Sequence, residues 1–192
     1  TELCKNKMFW VLFVMMICAG ASEQGVSQWA SAFAEKGLGV SKTVGDLAGP
    51  MAFAFLMGTS RVFYGKFGHK IELDKFMSFS SILCIASYLV ISLVPNSIVS
   101  LIGCAVCGLS VGIMWPGSFS KASAALKRGG TVLFALLALG GDVGCTVGPT
   151  VVGFVSGKFG DNMKMGILFG TLFPLILLAA IYVCKKMKLK ED

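Results

Sequence analysis

The stretch MFWVLFVMMICAGASEQGVSQW, residues 8–29, decides the fold. Its first half is an unbroken apolar run, and its second half carries a carboxylate, amides, a hydroxyl and an indole. These side chains belong to Glu23, Gln24, Ser27, Gln28 and Trp29. About 20 mainly apolar residues span the hydrocarbon core of a bilayer, so the stretch predicts a membrane-crossing helix. Its polar half needs a separate reason, because charged groups are costly inside a membrane.

The composition of the whole chain agrees with a membrane protein. Of the 192 residues, 55% are hydrophobic and 14% are charged, and the mean hydropathy is +0.79. Soluble domains carry roughly 25% charged residues. The seven cysteines are scattered through apolar runs, which favours small packing residues over disulfides or metal ligands.

Six apolar segments follow one another, separated by charged or turn-forming residues. They cover residues 8–34, 44–64, 76–94, 98–120, 130–157 and 165–184. We predict an all-α membrane protein, a bundle of six transmembrane helices over residues 1–192. The basic start of the first segment has the outline of a secretory signal, but five more segments follow, so we interpret it as the first of a set. The chain begins at Thr1 without an initiator methionine, and we interpret it as part of a longer protein.

The basic residues predict an orientation. If the N-terminus is cytoplasmic, 13 of the 17 Lys and Arg residues lie inside. The four outside are Lys36, Lys42, Lys158 and Lys164. Such an excess in inner loops indicates that both termini are cytoplasmic, in a plasma (cytoplasmic or inner) membrane. Because the charge is spread among loops, it does not form a nucleic-acid-binding patch.

The polar residues of the first span form a stripe. Glu23 and Ser27 are four residues apart, as are Gln24 and Gln28, so each pair shares a helix face. The stripe offers donors and acceptors to a polar solute. Two interpretations remain open: these groups line a cavity, or they join one helix to another.

Asp142 is the second carboxylate inside an apolar run. It lies about 18 Å along the fifth span and Glu23 about 22 Å along the first, which predicts similar depths near the middle of the bilayer. Transporters commonly place substrate and coupling-ion sites at this depth. Asp142 is therefore predicted to line the cavity, with a purely structural role as the alternative.

A glycine repeat surrounds Asp142. Gly140, Gly144 and Gly148 recur at four-residue spacing, which predicts close packing against another helix. Pro149 follows and permits a kink.

Two tryptophans are candidate cavity residues. Trp115 lies in GIMWPGSFSK, residues 112–121, where Pro116 and Gly117 predict a bent helix with an aromatic ring at the bend. Alternatively, Trp115 lies at the membrane interface, because Lys121 follows six residues later. Trp29 is a candidate for stacking on a sugar ring or for anchoring at the interface.

The chemistry of enzymes is missing from the sequence. We find no nucleophile–base pair, metal-ligand cluster or phosphate-binding loop, so we predict no enzymatic activity and no cofactor or metal. A channel is also excluded, because no segment resembles a re-entrant filter loop.

Several motifs resemble those of the major facilitator superfamily. GTSRVFYGKFGHK, residues 58–70, is similar to that family's inner-loop motif, with Gly58, Gly65 and Lys66 in register. GCTVGPTVVG, residues 144–153, resembles its G-x-x-x-G-P motif. The stretches AGASEQGVSQW and WPGSF resemble the fucose-permease-like sugar and proton symporters most closely. Six spans and a basic loop after the second span are similar to the C-terminal half of such a transporter.

The resemblance implies a function and a set of partners. It implies secondary active transport of a small polar solute, such as a sugar, by alternating access and coupled to protons. The partners would be the substrate, protons, the bilayer and an N-terminal six-helix half. The first, second, fourth and fifth spans would line the cavity, and the third and sixth would face lipid. A role in helix packing or gating is expected for Gly58, Arg61, Gly65, Lys66, Gly140, Gly144, Gly148 and Pro149.

Two other functions remain as alternatives. One is a non-transporting membrane scaffold or assembly subunit, in which the glycine repeat and Glu23 serve only helix packing. The other is a major facilitator exporter of drugs or other small molecules.

Overall fold

The computed structural model describes residues 2–38 and 41–188, and these ranges are helical without a strand. The helices are α1 (Glu2–Lys5), α2 (Lys7–Ser27), α3 (Ala30–Leu38), α4 (Lys42–Phe67), α5 (Leu73–Leu93), α6 (Ser97–Val111), α7 (Met114–Ala125), α8 (Gly130–Lys158), α9 (Met163–Gly170) and α10 (Leu172–Lys188), with a short 3₁₀ turn at Gly68–Lys70. The predicted all-α class is confirmed.

Five stretches of the described residues are long and apolar enough to cross a membrane. They cover residues 7–32, 73–93, 97–125, 130–158 and 163–187. The predicted second span falls in α4, which has 26 residues but is not among the five. This helix is long enough to cross, but it carries Asp46, Arg61 and Lys66. Its polarity lowers the hydropathy on which such a prediction depends.

Proline explains two interruptions of the spans. The fourth span breaks at Gly112 and Ile113, just before the Trp–Pro–Gly cluster for which a bend was predicted. Pro116 has no N–H, so the carbonyl of Gly112, four residues earlier, loses its helical partner. In the sixth span α9 ends at Gly170, four residues before Pro174, for the same reason.

The first span was predicted as one helix over residues 8–34, but it consists of two. The helix α2 ends at Ser27 and α3 begins at Ala30, with a turn at Gln28 and Trp29. No proline or glycine lies in this turn, so local sequence does not signal it. The turn lies at the end of the polar stripe and includes Gln28.

The helix α2 lies within the bundle and packs against α8, α10, α7 and α6. Its contact with α8 is the closest and depends on glycine. A Cβ atom at Gly144 would lie 2.0 Å from the carbonyl oxygen of Ile17, and one at Gly148 would lie 2.5 Å from that of Ala21. Only glycine permits backbones to approach so closely.

The helix α4 packs against α3 and α6. A Cβ atom at Gly108 of α6 would lie 2.2 Å from the carbonyl oxygen of Phe53, and one at Gly49 of α4 would lie 2.7 Å from that of Ala30. Small residues therefore bring α4 close to both neighbours.

One end of the bundle is rich in basic residues, and we call it the basic end. There Met8, Asp74, Lys121 and Cys184 line one cavity of about 430 Å³. The start of α2, the start of α5, the end of α7 and the end of α10 therefore meet. An ion pair from Lys121 to Asp74 joins α7 to α5.

Asparagine caps fix where three helices begin. The side-chain oxygens of Asn6, Asn96 and Asn162 accept hydrogen bonds from backbone N–H groups of the first turns of α2, α6 and α9. Such caps satisfy donors that have no partner inside the helix. The Asn96 cap closes the short turn between α5 and α6, which pack against each other.

Candidate functional site

The polar stripe lies on the last turns of α2. The Glu23 side chain is 15% exposed. The Gln28 amide donates a hydrogen bond of 3.0 Å to the Gln24 side-chain oxygen, across one turn. Ser27 and Trp29 are partly buried, and Gln28 is exposed. Side chains four residues apart are neighbours on a helix, so Gln24 and Gln28 can form this hydrogen bond at the end of α2.

Arg61 of α4 supplies the charge opposite Glu23. Its Nη2 lies 3.7 Å from Oε2 of Glu23, and its Nε donates a hydrogen bond of 3.2 Å to the carbonyl of Gly112. That carbonyl is the one that Pro116 leaves without a helical partner. Arg61 therefore connects α2, α4 and the break between α6 and α7.

Arg61 falls within residues 44–64, the predicted second span. The helix α4 continues to Phe67, so Arg61 lies inside the helix and its side chain is 43% exposed. Sequence reasoning missed Arg61 as a partner of Glu23. A signal was present, because Arg61 lies inside a predicted span and intramembrane charges commonly pair.

Four buried polar atoms, three of them in or beside the stripe, make no hydrogen bond within the described part of the chain. They are Ser22 Oγ, Glu23 Oε2, Trp29 Nε1 and Trp115 Nε1. The separation of Glu23 Oε2 from Arg61 is that of an ion pair, longer than a hydrogen bond. Buried polar groups are normally satisfied, so these atoms are candidates to bind a solute or water.

Both tryptophans rest on glycines of α8. A Cβ atom at Gly141 would lie 2.4 Å from the Trp115 ring, and one at Gly153 would lie 3.2 Å from the Trp29 ring. The two indoles are half-buried and lie at the breaks of the first and fourth spans. Each break thus presents an aromatic ring to α8.

Asp142 has different surroundings from Glu23. It is exposed, and none of the basic side chains that the structure describes lies within ion-pair distance of it. Because Gly144 lies between Ile17 and Ala21, position 142 is level with about Ile17 of α2. Asp142 is therefore about 8 Å nearer the basic end than Glu23, and the two carboxylates do not share the depth that was predicted.

Thr146 and Thr150 extend the polar surface of α8 beyond Asp142. Both are exposed and follow Asp142 at four-residue spacing. Their hydroxyls donate to the carbonyls of Asp142 and Thr146, at 3.2 and 2.7 Å. Sequence reasoning missed both threonines, although their spacing of four from Asp142 is a helical signal.

The glycines predicted to pack fall into two groups. A Cβ atom at Gly140 would lie 2.9 Å from the Phe13 ring, whereas Gly144 and Gly148 lie against the backbone of α2. A Cβ atom at Gly58 or Gly65 would meet no atom of the described chain within 4 Å. Of the other predicted positions, Lys66 is exposed with its Nζ 5.6 Å from the Phe67 ring centre, and Pro149 lies inside α8.

The arrangement combines a shielded carboxylate, a partly exposed guanidinium and unsatisfied donors. The carboxylate can hold or release a proton, and the guanidinium can bind an anion or an oxygen-rich solute. Helix breaks beside buried charge are typical of sites where a solute or ion crosses a membrane.

Comparison with known proteins shows the family. No curated protein matches the chain. The sequence model of the Major Facilitator Superfamily matches residues 1–149, which is more than half of the chain. The helical bundle is consistent with half of such a transporter. The chain therefore belongs to the Major Facilitator Superfamily, whose members are membrane transport proteins and not enzymes.

Proposed function

We propose that the chain is one half of a secondary active transporter and supplies one wall of its central cavity. The observation that carries the proposal is the ion pair between Arg61 and Glu23, a carboxylate that the apolar bundle shields. A charge pair between helices costs desolvation energy, and an apolar pair of similar size is commonly as stable. A binding or switching role gives a reason to retain it.

The proposed substrate is a small polar solute such as a sugar. The Glu23 carboxylate, the Gln24 and Gln28 amides and the two indole N–H groups supply acceptors and donors for hydroxyl groups. The indole rings supply apolar faces on which a sugar ring stacks. The stripe of Asp142, Thr146 and Thr150 on α8 adds a second polar surface.

Proton coupling would act through the ion pair. When Glu23 takes up a proton, Arg61 loses its negative partner, and α2 and α4 are no longer held together by charge. When Glu23 releases the proton, the pair re-forms. The equilibrium between two arrangements of these helices would then follow the protonation of one carboxylate.

The proposed arrangement completes the transporter with an N-terminal six-helix half of the same protein. The two halves would alternate access to the cavity between them. We place the basic end of the bundle on the cytoplasmic side of a plasma (cytoplasmic or inner) membrane, because an excess of Lys and Arg favours that side.

The test is uptake by the intact protein in proteoliposomes, with a panel of sugars and an imposed pH gradient. We expect uptake of one sugar to rise with an inward proton gradient, and Glu23→Gln to reduce that uptake at least tenfold while folded yield is retained. Glu72→Gln, which alters an exposed carboxylate at the basic end, serves as the matched control.

Two results would contradict the proposal. Full gradient-driven uptake by Glu23→Gln removes the coupling role of the ion pair. Absence of uptake for every sugar, with folded protein, removes the sugar assignment. If the protein then expels drugs, the exporter alternative replaces the sugar transporter. If it moves no solute at all, the scaffold alternative replaces it.

A further inference from the structure

A groove of about 890 Å³ runs between α5 and α10, away from the site described above. Most of its lining is apolar. Phe79 and Ile82 of α5 are 62% and 55% exposed, and Leu175 and Tyr182 of α10 are 47% and 71% exposed. The groove extends from Leu175 to Lys186, which is about 16 Å along the helix.

The mouth of the groove, at the basic end, is positively charged. Lys75, Lys185 and Lys186 line it together with one carboxylate, that of Asp74. Asp74 already forms an ion pair with Lys121. Oε2 of the nearby Glu72 lies 2.8 Å from Nζ of Lys75 and forms an ion pair with it.

The positive charge at this mouth lowers the pKa of Glu72. The hydrogen bond from Lys75, followed by the charges of Lys75 and Lys185, holds the pKa of Glu72 below its ordinary value. Even with both carboxylates ionised, the lysines at the mouth keep a net positive charge. Lys185 and Lys186 are exposed on the last turns of α10.

We propose that this groove binds an anionic phospholipid, with its phosphate headgroup at Lys185 and Lys186 and an acyl chain along Phe79, Ile82 and Leu175. The polarity of the groove changes from positive to apolar along its length, as an anionic amphiphile requires. Basic pockets between transmembrane helices are suited to lipid headgroups. The volume lies within the usual range of small-molecule sites.

The geometry favours a lipid over a water-soluble anion. A soluble anion would contact the lysines but has no group that fits the apolar length of the groove. A second copy of this chain would bring its own Lys185 and Lys186 to a symmetric contact, where like charges repel. An acyl chain covers the apolar surface without that repulsion.

The test is native mass spectrometry of the intact protein with phosphatidylglycerol and phosphatidylcholine of the same chain length. We expect the unmodified protein to retain phosphatidylglycerol in preference. The double variant Lys185→Gln/Lys186→Gln should bind it about 25-fold more weakly, because each lysine near an anionic headgroup contributes about fivefold.

Two further variants make the test specific. Lys5→Gln/Lys7→Gln removes two exposed lysines that do not line the groove, and we expect it to retain phosphatidylglycerol as the unmodified protein does. Ile82→Trp narrows the groove without changing charge and should weaken lipid binding. Thermal unfolding establishes that every variant is folded.

Four results would overturn the proposal. The first is equal retention of the two lipids by the unmodified protein, and the second is a loss of phosphatidylglycerol binding in the Lys5/Lys7 control equal to that in the Lys185/Lys186 variant. The third is displacement of the lipid by soluble glycerol phosphate. The fourth is disulfide cross-linking of two Ser78→Cys copies whether or not lipid is present. The last result would assign the groove to a second copy. Because the readout is lipid retention, its failure is independent of any failure in the uptake experiment.

Discussion

Glu23 and Asp142 are both carboxylates inside apolar spans, but their surroundings differ. Glu23 is 15% exposed and pairs with Arg61 of a neighbouring helix. Asp142 lies on the exposed side of α8, beside Thr146 and Thr150. The first charge is balanced within this bundle. The second, if it lies in a membrane, needs water or another surface to offset its desolvation.

The difference follows from the two faces of α8. One face carries Gly141, Gly144 and Gly148 and is closed by α2 and the Trp115 ring. The other face carries Asp142 and the threonines and is open. Close packing and polar exposure are therefore separated on opposite sides of one helix.

The largest effect on stability is expected at the closed face. Gly144→Leu should destabilise the bundle by at least about 3 kcal/mol, because its Cβ alone would overlap the Ile17 carbonyl. The measurement is the yield of monodisperse protein and its thermal unfolding in detergent. Gly58→Leu is the matched control, since a side chain there meets open space. Equal losses in both variants would contradict the packing described here.

The next effect concerns the internally balanced charge. Arg61→Met leaves Glu23 without its partner and should cost about 2 kcal/mol, reduced from the cost of a fully buried pair by the exposure of Arg61. The double variant Arg61→Met/Glu23→Gln should recover most of that loss in thermal unfolding. If the double variant is less stable than the single one, the pair does not couple as proposed.

A smaller effect is expected at the hydrogen bond that supports the stripe. The Tyr88 hydroxyl donates to the carbonyl of Ser22, at 2.8 Å, one residue before Glu23. Tyr88→Phe should cost about 1 kcal/mol, the usual contribution of such a bond. Tyr182→Phe, at an exposed position, serves as the control and should be neutral. A neutral Tyr88→Phe would show that Ser22 does not depend on this donor.

The smallest effect on stability is expected at the open face. The free energy of unfolding of Asp142→Asn should lie within about 0.5 kcal/mol of that of the unmodified protein, as is usual for exposed substitutions. Its gradient-driven uptake should nevertheless fall, because the proposed cavity loses a charge. A variant that is unstable and fully active would reverse the contrast between the two carboxylates.

Much of this architecture could be predicted from residue patterns. Apolar runs predicted where the long helices lie. The Trp–Pro–Gly cluster predicted a bend in the fourth segment, which the structure shows as a break at Gly112 and Ile113, because a missing N–H acts locally. Glu23 stood out as a charge in an apolar run. Its role and that of Asp142 remain predictions until uptake is measured.

Other features could not be predicted because they depend on distant residues. Arg61 follows Glu23 by 38 positions in the chain, and only the packing of both α2 and α4 against α6 brings them together. The break at Gln28 and Trp29 has no proline or glycine to signal it. Counting residues from helix starts also misplaced Asp142, because depth depends on the register between α2 and α8.

By itself, the sequence determined the helical class, the approximate positions of the long helices and the charge asymmetry of the two ends. These properties arise from hydropathy, helical periodicity and proline, which act over a few turns of chain. Tertiary structure alone decided which charges meet, which glycines are closed by a neighbour and which face of α8 stays open. Those outcomes depend on helix register and crossing, which arise only when distant surfaces pack against each other.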